Sequence, residues 1–332
     1  MTLPTEMTRI EITEPGGPEV LQSRRVPLPV AAEGEILIRV HAAGINRPDA
    51  LQRAGKYPMK PGMNPIPGLE VAGEVVAIGS GVSTFAVGDR VCALTNGGGY
   101  AEYCTVPAGQ ALPIPDGLDW IQAAAIPETF FTVWANLFGL GSASRGQRAL
   151  IHGGTSGIGT TALMLCREFG IEAFATAGSA DKCVAIRNLG GEAINYREQD
   201  FAAVIAEKTA GQGVNVILDI MGGSYLNGNI SALGMDGRLV MLGFLGGARA
   251  NDIDLLAILG KRAVVTGSLL RARTSAEKAA IADQLREHVW PVLAAGRCLP
   301  IIDKVYPLAD AAKAHAHMEA GDHIGKIVLK ID

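Results

Sequence analysis

The segment Ile151–Leu165, IHGGTSGIGTTALML, narrows the possible folds more than any other stretch of the chain. The residues leading into it, RALIHG (Arg148–Gly153), read as a short apolar strand. Those after it place Ile158, Ala162, Leu165, Cys166 and Phe169 on one helical face, which stops at Gly170. Between them lie Gly154, Thr155, Ser156, Gly157, Ile158 and Gly159, spaced as GxGxxG except that Ser156 replaces the middle glycine. In a strand–turn–helix unit, glycines let backbone approach a pyrophosphate, and the first N–H groups and dipole of the helix attract its oxygens. These six residues are therefore expected to hold a dinucleotide; a tight turn without a ligand is the alternative.

The surrounding pattern agrees. From about Pro127 strands and helices alternate: EAFATA (Glu172–Ala177), a helix from about Ala180 to Leu189, and another near Phe201–Ala210. The strands VNVILDI (Val214–Ile220), RLVMLG (Arg238–Gly243) and AVVTGSL (Ala263–Leu269) follow. Alternation with buried, β-branched strands predicts an α/β fold, a doubly wound parallel sheet with helices on both faces. Earlier residues read as β-rich, with EILIRV (Glu35–Val40), EVAGEVVAIG (Glu70–Gly79), GDRVCAL and YAEYCTVP separated by Pro/Gly loops such as YPMKPGMNPIPG. The tail from about Leu270 carries a charged helix and the strand IGKIVLKI, which is expected to return to the first domain. The expected domains are thus 1–127 with 270–332, β-rich and catalytic, and 128–269, dinucleotide-binding.

Composition sets outer limits. The 332 residues suffice for two domains, and 48% hydrophobic against 19% charged residues is wrong for disorder. A net charge of -4 argues against a nucleic-acid surface, which needs clustered Lys and Arg. The N-terminus has no basic start followed by an apolar run, so neither a signal nor a transit peptide is expected, and no apolar run is long enough to span a bilayer. Five cysteines, odd in number and never in a CxxC pair, suit a reduced, cytoplasmic setting.

The end of the second strand selects the dinucleotide. NAD enzymes place an acid there for the ribose 2′-hydroxyl. Here it reads Thr176-Ala177-Gly178-Ser179, with Lys182 just beyond and Tyr196 after the next strand. Donors without a carboxylate suit a 2′-phosphate, so NADPH is expected, although Asp181 beside Lys182 weighs against it and Lys182 also reads as a solvated lysine.

Taken with "AAGINRPDALQRAGKYP", "PIPGLEVAGEVVAIGSGV", "GDRVCAL", "GGGYAEY", "VILDIMGG" and "IGKIVL", these residues resemble the medium-chain dehydrogenase/reductase superfamily, in its quinone oxidoreductase (zeta-crystallin-like) branch. The resemblance implies a GroES-like catalytic domain and a Rossmann domain. It also implies further cofactor contacts at Met221 and Gly222, at Gly243, Phe244 and Leu245, and at Ser268, Leu269 and Leu270. For Phe244 and Leu245 the alternative is a hydrophobic loop plug. Arg271 and Arg273 either reach phosphate or are solvated.

The superfamily's zinc enzymes carry a cysteine in a GxC loop and a histidine in GHE. This chain has Gly44-Ile45-Asn46 and Gly68-Leu69-Glu70, and Pro127-Glu128-Thr129 at the third ligand region. The short Asn96–Tyr100 loop replaces the structural-zinc lobe, and His315 and His317, two apart, diverge on a helix. No metal is expected. Without a metal to polarise oxygen, an electron-poor acceptor is needed, and the resemblance implies metal-independent NADPH-dependent quinone reduction. An enoyl or alkenal reductase is the enzymatic alternative; a cofactor-binding sensor or structural protein with little turnover is the other.

Asn46, at a lost ligand position, is expected to contact the nicotinamide ribose or the substrate oxygen. Tyr57 is expected to donate to the acceptor oxygen, against a packing role in its Pro-rich loop; a second tyrosine of the branch is Leu51 here. Thr132 resembles a threonine near the nicotinamide. Asp49, Arg53 and Glu70 read as loop architecture. The apolar strand near Ala263–Leu269, at the sheet edge, resembles the family's dimerisation strand, and the resemblance implies a homodimer.

Overall fold

The computed structural model describes residues 3–61 and 63–331. Met1, Thr2, Gly62 and Asp332, which fall within the expected bounds of the first domain, lie outside the described residues. The chain divides into two compact units, Met1–Phe131 with Arg273–Asp332, and Thr132–Ala272.

The first unit opens with the antiparallel pair β1 (Glu6–Ile12) and β2 (Leu21–Pro27), then β3 (Glu35–Gly44) and helix α1 (Arg47–Arg53). β4 (Glu70–Ile78), β5 (Arg90–Leu94), β6 (Tyr103–Pro107), β7 (Ala111–Pro113) and helix α2 (Trp120–Ala124) follow. Helix α3 (Pro127–Val133) carries the chain across the division, which lies inside this helix four residues beyond the expected 127/128. The reason is local: the Glu128 amide donates to Glu70 Oε2 at 2.9 Å, holding the first turn of α3 on the first unit.

The second unit contains β8 (Arg148–Ile151), α4 (Gly157–Phe169), β9 (Glu172–Ala177), α5 (Ala180–Asn188), β10 (Glu192–Asn195), α6 (Phe201–Lys208) and β11 (Val214–Asp219). It ends with α7 (Leu226–Ala232), β12 (Leu233–Met241), α8 (Leu255–Lys261) and β13 (Val264–Gly267). Its sheet is parallel throughout, in the order β10-β9-β8-β11-β12-β13. Leu150, Phe174, Ile194, Ile217 and Leu239 are buried on it, as apolar side chains on a covered parallel sheet should be. α4 differs from the one-faced helix its spacing suggests, because every residue from Gly159 to Cys166 is buried.

The chain then returns with α9 (Ser275–His288), α10 (Trp290–Ala294), β14 (Ile302–Pro307), α11 (Ala311–Ala320) and β15 (Lys326–Lys330). β15 pairs antiparallel with β3 and parallel with β14, completing a seven-stranded sheet ordered β14-β15-β3-β4-β5-β7, with β6 on β3.

A buried polar chain locks this unit. Asp49 accepts from the Asn46 amide at 3.0 Å, the Gly68 amide at 2.9 Å and the Tyr100 hydroxyl at 3.2 Å. Tyr100 Oη lies 3.1 Å from His315 Nε2, and Arg53 Nη1 lies 3.2 Å from His315 Nδ1. Arginine only donates, so Nδ1 accepts and Nε2 carries the proton towards Tyr100. Burial, with Arg53 adding to it, pushes the His315 imidazole down to about 3, which keeps it in this neutral form. Arg53 closes the chain on Glu319 at 2.7 Å.

Two consequences are measurable. Asp49→Ala strands two buried amides and a hydroxyl and should lower the urea unfolding free energy by about 3 kcal/mol or more, at about 1–3 kcal/mol per stranded group. Gly159→Ala puts a Cβ 2.2 Å from the Gly153 carbonyl and 2.6 Å from Gly154 backbone, so α4 must move from β8, and the melting temperature should fall by several degrees.

Candidate active site

In the second unit the parallel strands end on one edge, and the turn after β8 is built for close approach. Gly153 sits at φ +72°, open to glycine at no steric cost. A Cβ on Gly154 would lie 2.7 Å from Ala175 and from Ile186. Ser156, in the place of the middle glycine, caps α4: its hydroxyl donates to the Gly153 carbonyl at 2.8 Å and accepts from the Gly159 amide at 3.0 Å. The turn residues thus gather at the amide end of a thirteen-residue helix. This close-packed turn, its bulk excluded by neighbouring atoms, fits a dinucleotide pyrophosphate.

The same edge carries Gly178 and Ser179 after β9 and Tyr196 after β10. A Cβ on Gly178 would meet Tyr196 Oη at 2.6 Å, so the phenol lies directly against this glycine. Ser179 is exposed, and its hydroxyl caps α5 by accepting from the Lys182 amide at 3.4 Å. No acid stands between Ala177 and Ala180.

The loops after β11 and β12 are joined. Leu245 N donates to Ile220 O at 3.0 Å, Gly246 N to Met221 O at 2.7 Å and Gly223 N to Gly247 O at 2.7 Å. Asp219, absent from the sequence-derived set, accepts from the Met221 and Gly222 amides at 2.7 and 3.1 Å and so shapes the first loop. Burial pushes its carboxyl up to about 6, against the pull of those two amides. Phe244 and Leu245 are about half exposed, which is not the burial of a loop plug. Ser268 and Leu269 follow β13, where the Ser268 amide donates to Met241 O at 3.0 Å. Leu270 is buried, and Arg271 is buried rather than solvated. Thr132 opens this unit and is 9% exposed, its carbonyl accepting from Asn136 Nδ2.

In the first unit, Asn46 lies at the meeting of four element ends. Lys326, on β15, donates to Ile45 O at 2.9 Å, to Asn46 Oδ1 at 2.5 Å and to Glu70 Oε1 at 2.7 Å. Asn46 Nδ2 donates to Glu70 Oε1 at 2.8 Å and reaches Gly44 O at 3.5 Å. Gly44 is obligatory here, since a Cβ would lie 2.0 Å from Glu70 Oε1. Asn46 is therefore held rigidly between Lys326 and Glu70. Glu70 is a fully buried bracket, as its reading as architecture expects. Tyr57 follows α1, with its amide on Leu51 O at 3.1 Å and its ring partly exposed.

Among the described residues no group of three or more His, Cys, Asp or Glu side chains is placed to hold a metal ion. Cys92 and Cys104 are buried, and burial pushes both thiols up, so neither is poised as a thiolate. On α11, His315 binds Tyr100 while His317 faces Tyr306 and Asp303, the divergence a two-residue spacing requires. Lys326 was not legible as a site residue: it lies 280 positions from Asn46, and only strand pairing brings them together.

Residues 32–116 match the alcohol dehydrogenase GroES-like domain, and residues 189–329 match the zinc-binding dehydrogenase family. The chain is 33% identical to the quinone oxidoreductase of Rattus norvegicus over 97% of both chains. Among solved structures, a mycobacterial protein complexed with NADPH superposes with a TM-score of 0.86 at 30% identity, covering 98% of this chain and 100% of that one. CurK enoyl reductase superposes with a TM-score of 0.84 at 26% identity, over 99% and 100% of the two chains. By sequence and fold together, the chain belongs to the quinone oxidoreductase branch of the medium-chain dehydrogenase/reductase superfamily.

Proposed function

We propose that the protein is an NADPH-dependent quinone reductase working without a metal. The observation that carries the reading is the carboxyl edge of the parallel sheet, where a glycine turn caps α4 and the β9 end presents Gly178, Ser179 and Lys182 with no acid at its tip. Kinship with the rat quinone oxidoreductase and with the NADPH-bound mycobacterial structure supports the same reading.

NADPH, when bound, supplies a hydride. The chain supplies the rest. Gly154, Thr155, Ser156, Gly157, Ile158 and Gly159 hold the pyrophosphate against the start of α4. Ser179, Lys182 and Tyr196 receive the 2′-phosphate through hydroxyl and ammonium donors. The joined loops at Met221–Gly222 and Gly243–Leu245, with Ser268, Leu269, Leu270 and Thr132, shape the nicotinamide end. Asn46, fixed by Lys326 and Glu70, orients the reacting pair through Oδ1, and Tyr57 donates a hydrogen bond to the acceptor oxygen. With Asn46 and Leu69 at the positions where zinc relatives carry ligands, the acceptor must be electron-poor by itself, which favours quinones. An enal acceptor is the second reading, supported by the likeness to an enoyl reductase.

The setting is proposed to be cytoplasmic; no helix among the described residues is long and apolar enough to cross a membrane. We also infer a homodimer built on β13, the sheet's edge strand, where Val264 and Val265 are exposed and Leu255, Leu256 and Leu259 of α8 are 66–76% exposed. Val265→Lys should shift sedimentation from dimer to monomer.

The deciding assay follows NADPH and NADH absorbance with an ortho-quinone and an enal after chelator treatment. Rapid chelator-insensitive NADPH loss with the quinone is expected, and Lys182→Glu should raise the NADPH KM about tenfold or more, a loss of about 1.4 kcal/mol, while leaving NADH unchanged. Preference for NADH overturns the cofactor, turnover of the enal alone promotes the second reading, and binding without oxidation points to a sensor.

A further inference from the structure

His152 stands between the last residue of β8 and the first glycine of the turn, and three other elements fix its ring. It is 1% exposed, and its backbone amide donates to Leu218 O of β11 at 3.1 Å. Phe201 of α6 and Tyr225, just before α7, meet the imidazole edge-on, with ring centroids 4.9 and 4.8 Å away. Nδ1 lies 3.1 Å from Thr176 Oγ1 on β9, and Nε2 lies 2.7 Å from Asn229 Oδ1 on α7.

These contacts admit one arrangement of protons. Burial pushes the imidazole down to about 4, so at neutral pH the ring carries a single proton. A carboxamide oxygen only accepts, so Nε2 holds that proton and Nδ1 is left as an acceptor. The Thr176 hydroxyl therefore donates to Nδ1, and its lone pairs are left for the Gly153 amide, 3.2 Å away. Thr176 also accepts the next amide, Gly154 N, on its carbonyl at 2.9 Å. The first two amides of the turn thus end on one threonine, whose hydroxyl is aimed by His152. Asn229 Nδ2 is buried without a hydrogen-bond partner, so the fold keeps Oδ1 on the imidazole although this strands a donor.

The same ring connects to the loop after β11. Asn229 sits on α7, which is entered through Tyr225, and the Tyr225 amide donates to Gly222 O at 3.0 Å. The amides of Thr155, Gly157 and Ile158 make no hydrogen bond among the described residues, so the shape of the turn decides where they point.

We propose that His152 is a positioning residue for the dinucleotide: its Nε2–H tautomer orients Thr176, and Thr176 sets the turn that receives the pyrophosphate. This rests on the NADPH reading of the same edge. Binding tests it without any acceptor, so a failure of quinone turnover stands apart from a failure of this assignment.

The test titrates NADPH and NADH into the full-length protein and follows nicotinamide fluorescence. An asparagine side chain can place its oxygen at the position of Nδ1, whereas glutamine reaches the position of Nε2. His152→Gln should therefore raise both dissociation constants about tenfold, and His152→Asn should hold them within about threefold. Thr176→Val should match His152→Gln, and Thr176→Ser should match the wild type. With an ortho-quinone, kcat at saturating NADPH should stay within about threefold throughout, because the turn holds the cofactor alike in ground and transition states. Independently of binding, nitrogen NMR spectra of the wild type at pH 7 should show the His152 proton on Nε2. Should a histidine variant fail to fold, the two Thr176 variants make the same comparison. Equal affinities within either pair, weakening of NADPH alone, or a proton on Nδ1 overturns the assignment. Absence of binding of either dinucleotide by wild-type protein overturns the cofactor reading and this one with it.

Discussion

The first unit depends on one ammonium group. Lys326 is 4% exposed in its side chain, and its charge is compensated by Glu70, whose side chain is fully buried. Two ions withdrawn from water are tolerable only when every donor and acceptor is matched. Here the match is close to complete: three acceptors surround the ammonium, and Glu70 also takes an amide from α3 and the side-chain amide of Asn46. The pairing fixes the end of β3, the start of β4, the first turn of α3 and the register of β15 together. Where zinc relatives use a metal to bind residues from separate loops, this chain uses an organic cation carried on its last strand.

Much of this was legible in the sequence, for reasons that can be named. The strand–glycine–helix unit at Arg148–Phe169 announces itself because both periodicities and the turn chemistry agree within one short window. The β9 tip could be read because the deciding fact is the absence of an acid at a fixed offset. The helices Leu226–Ala232 and Leu255–Lys261 were not read. The first, LNGNISA, includes glycine and two asparagines, and the second carries its leucines outward, so neither shows a core-facing stripe. Spacing makes α4 look one-faced because it reports where apolar residues lie, whereas Thr160 and Thr161 are buried too, the Thr160 hydroxyl bonding back to Ser156 O.

The site divides along the same line. Residues clustered in sequence, such as Gly154–Gly159 or Met221–Gly222, carry local signatures. Lys326, Glu70 and Asn46 come from separate segments, and nothing in any one segment says that an ammonium will be saturated by the other two. Asp219 is an intermediate case. It ends a strand as many buried aspartates do, and only the two amides it accepts identify it as the organiser of the following loop.

The return of β15 to β3 also sets an order of events during synthesis. The first 131 residues emerge with β4 and β6 already available to β3 but the Ala42–Gly44 end of β3 lacking its partner strand, and with Glu70 lacking its counter-ion. Thr132–Ala272, by contrast, is contiguous and can close its sheet as soon as β13 is made. The dinucleotide-binding unit is therefore the earliest part able to reach its final state. The N-terminal segment must wait, with a strand edge and a lone carboxylate exposed, for the last thirty or so residues of its own chain.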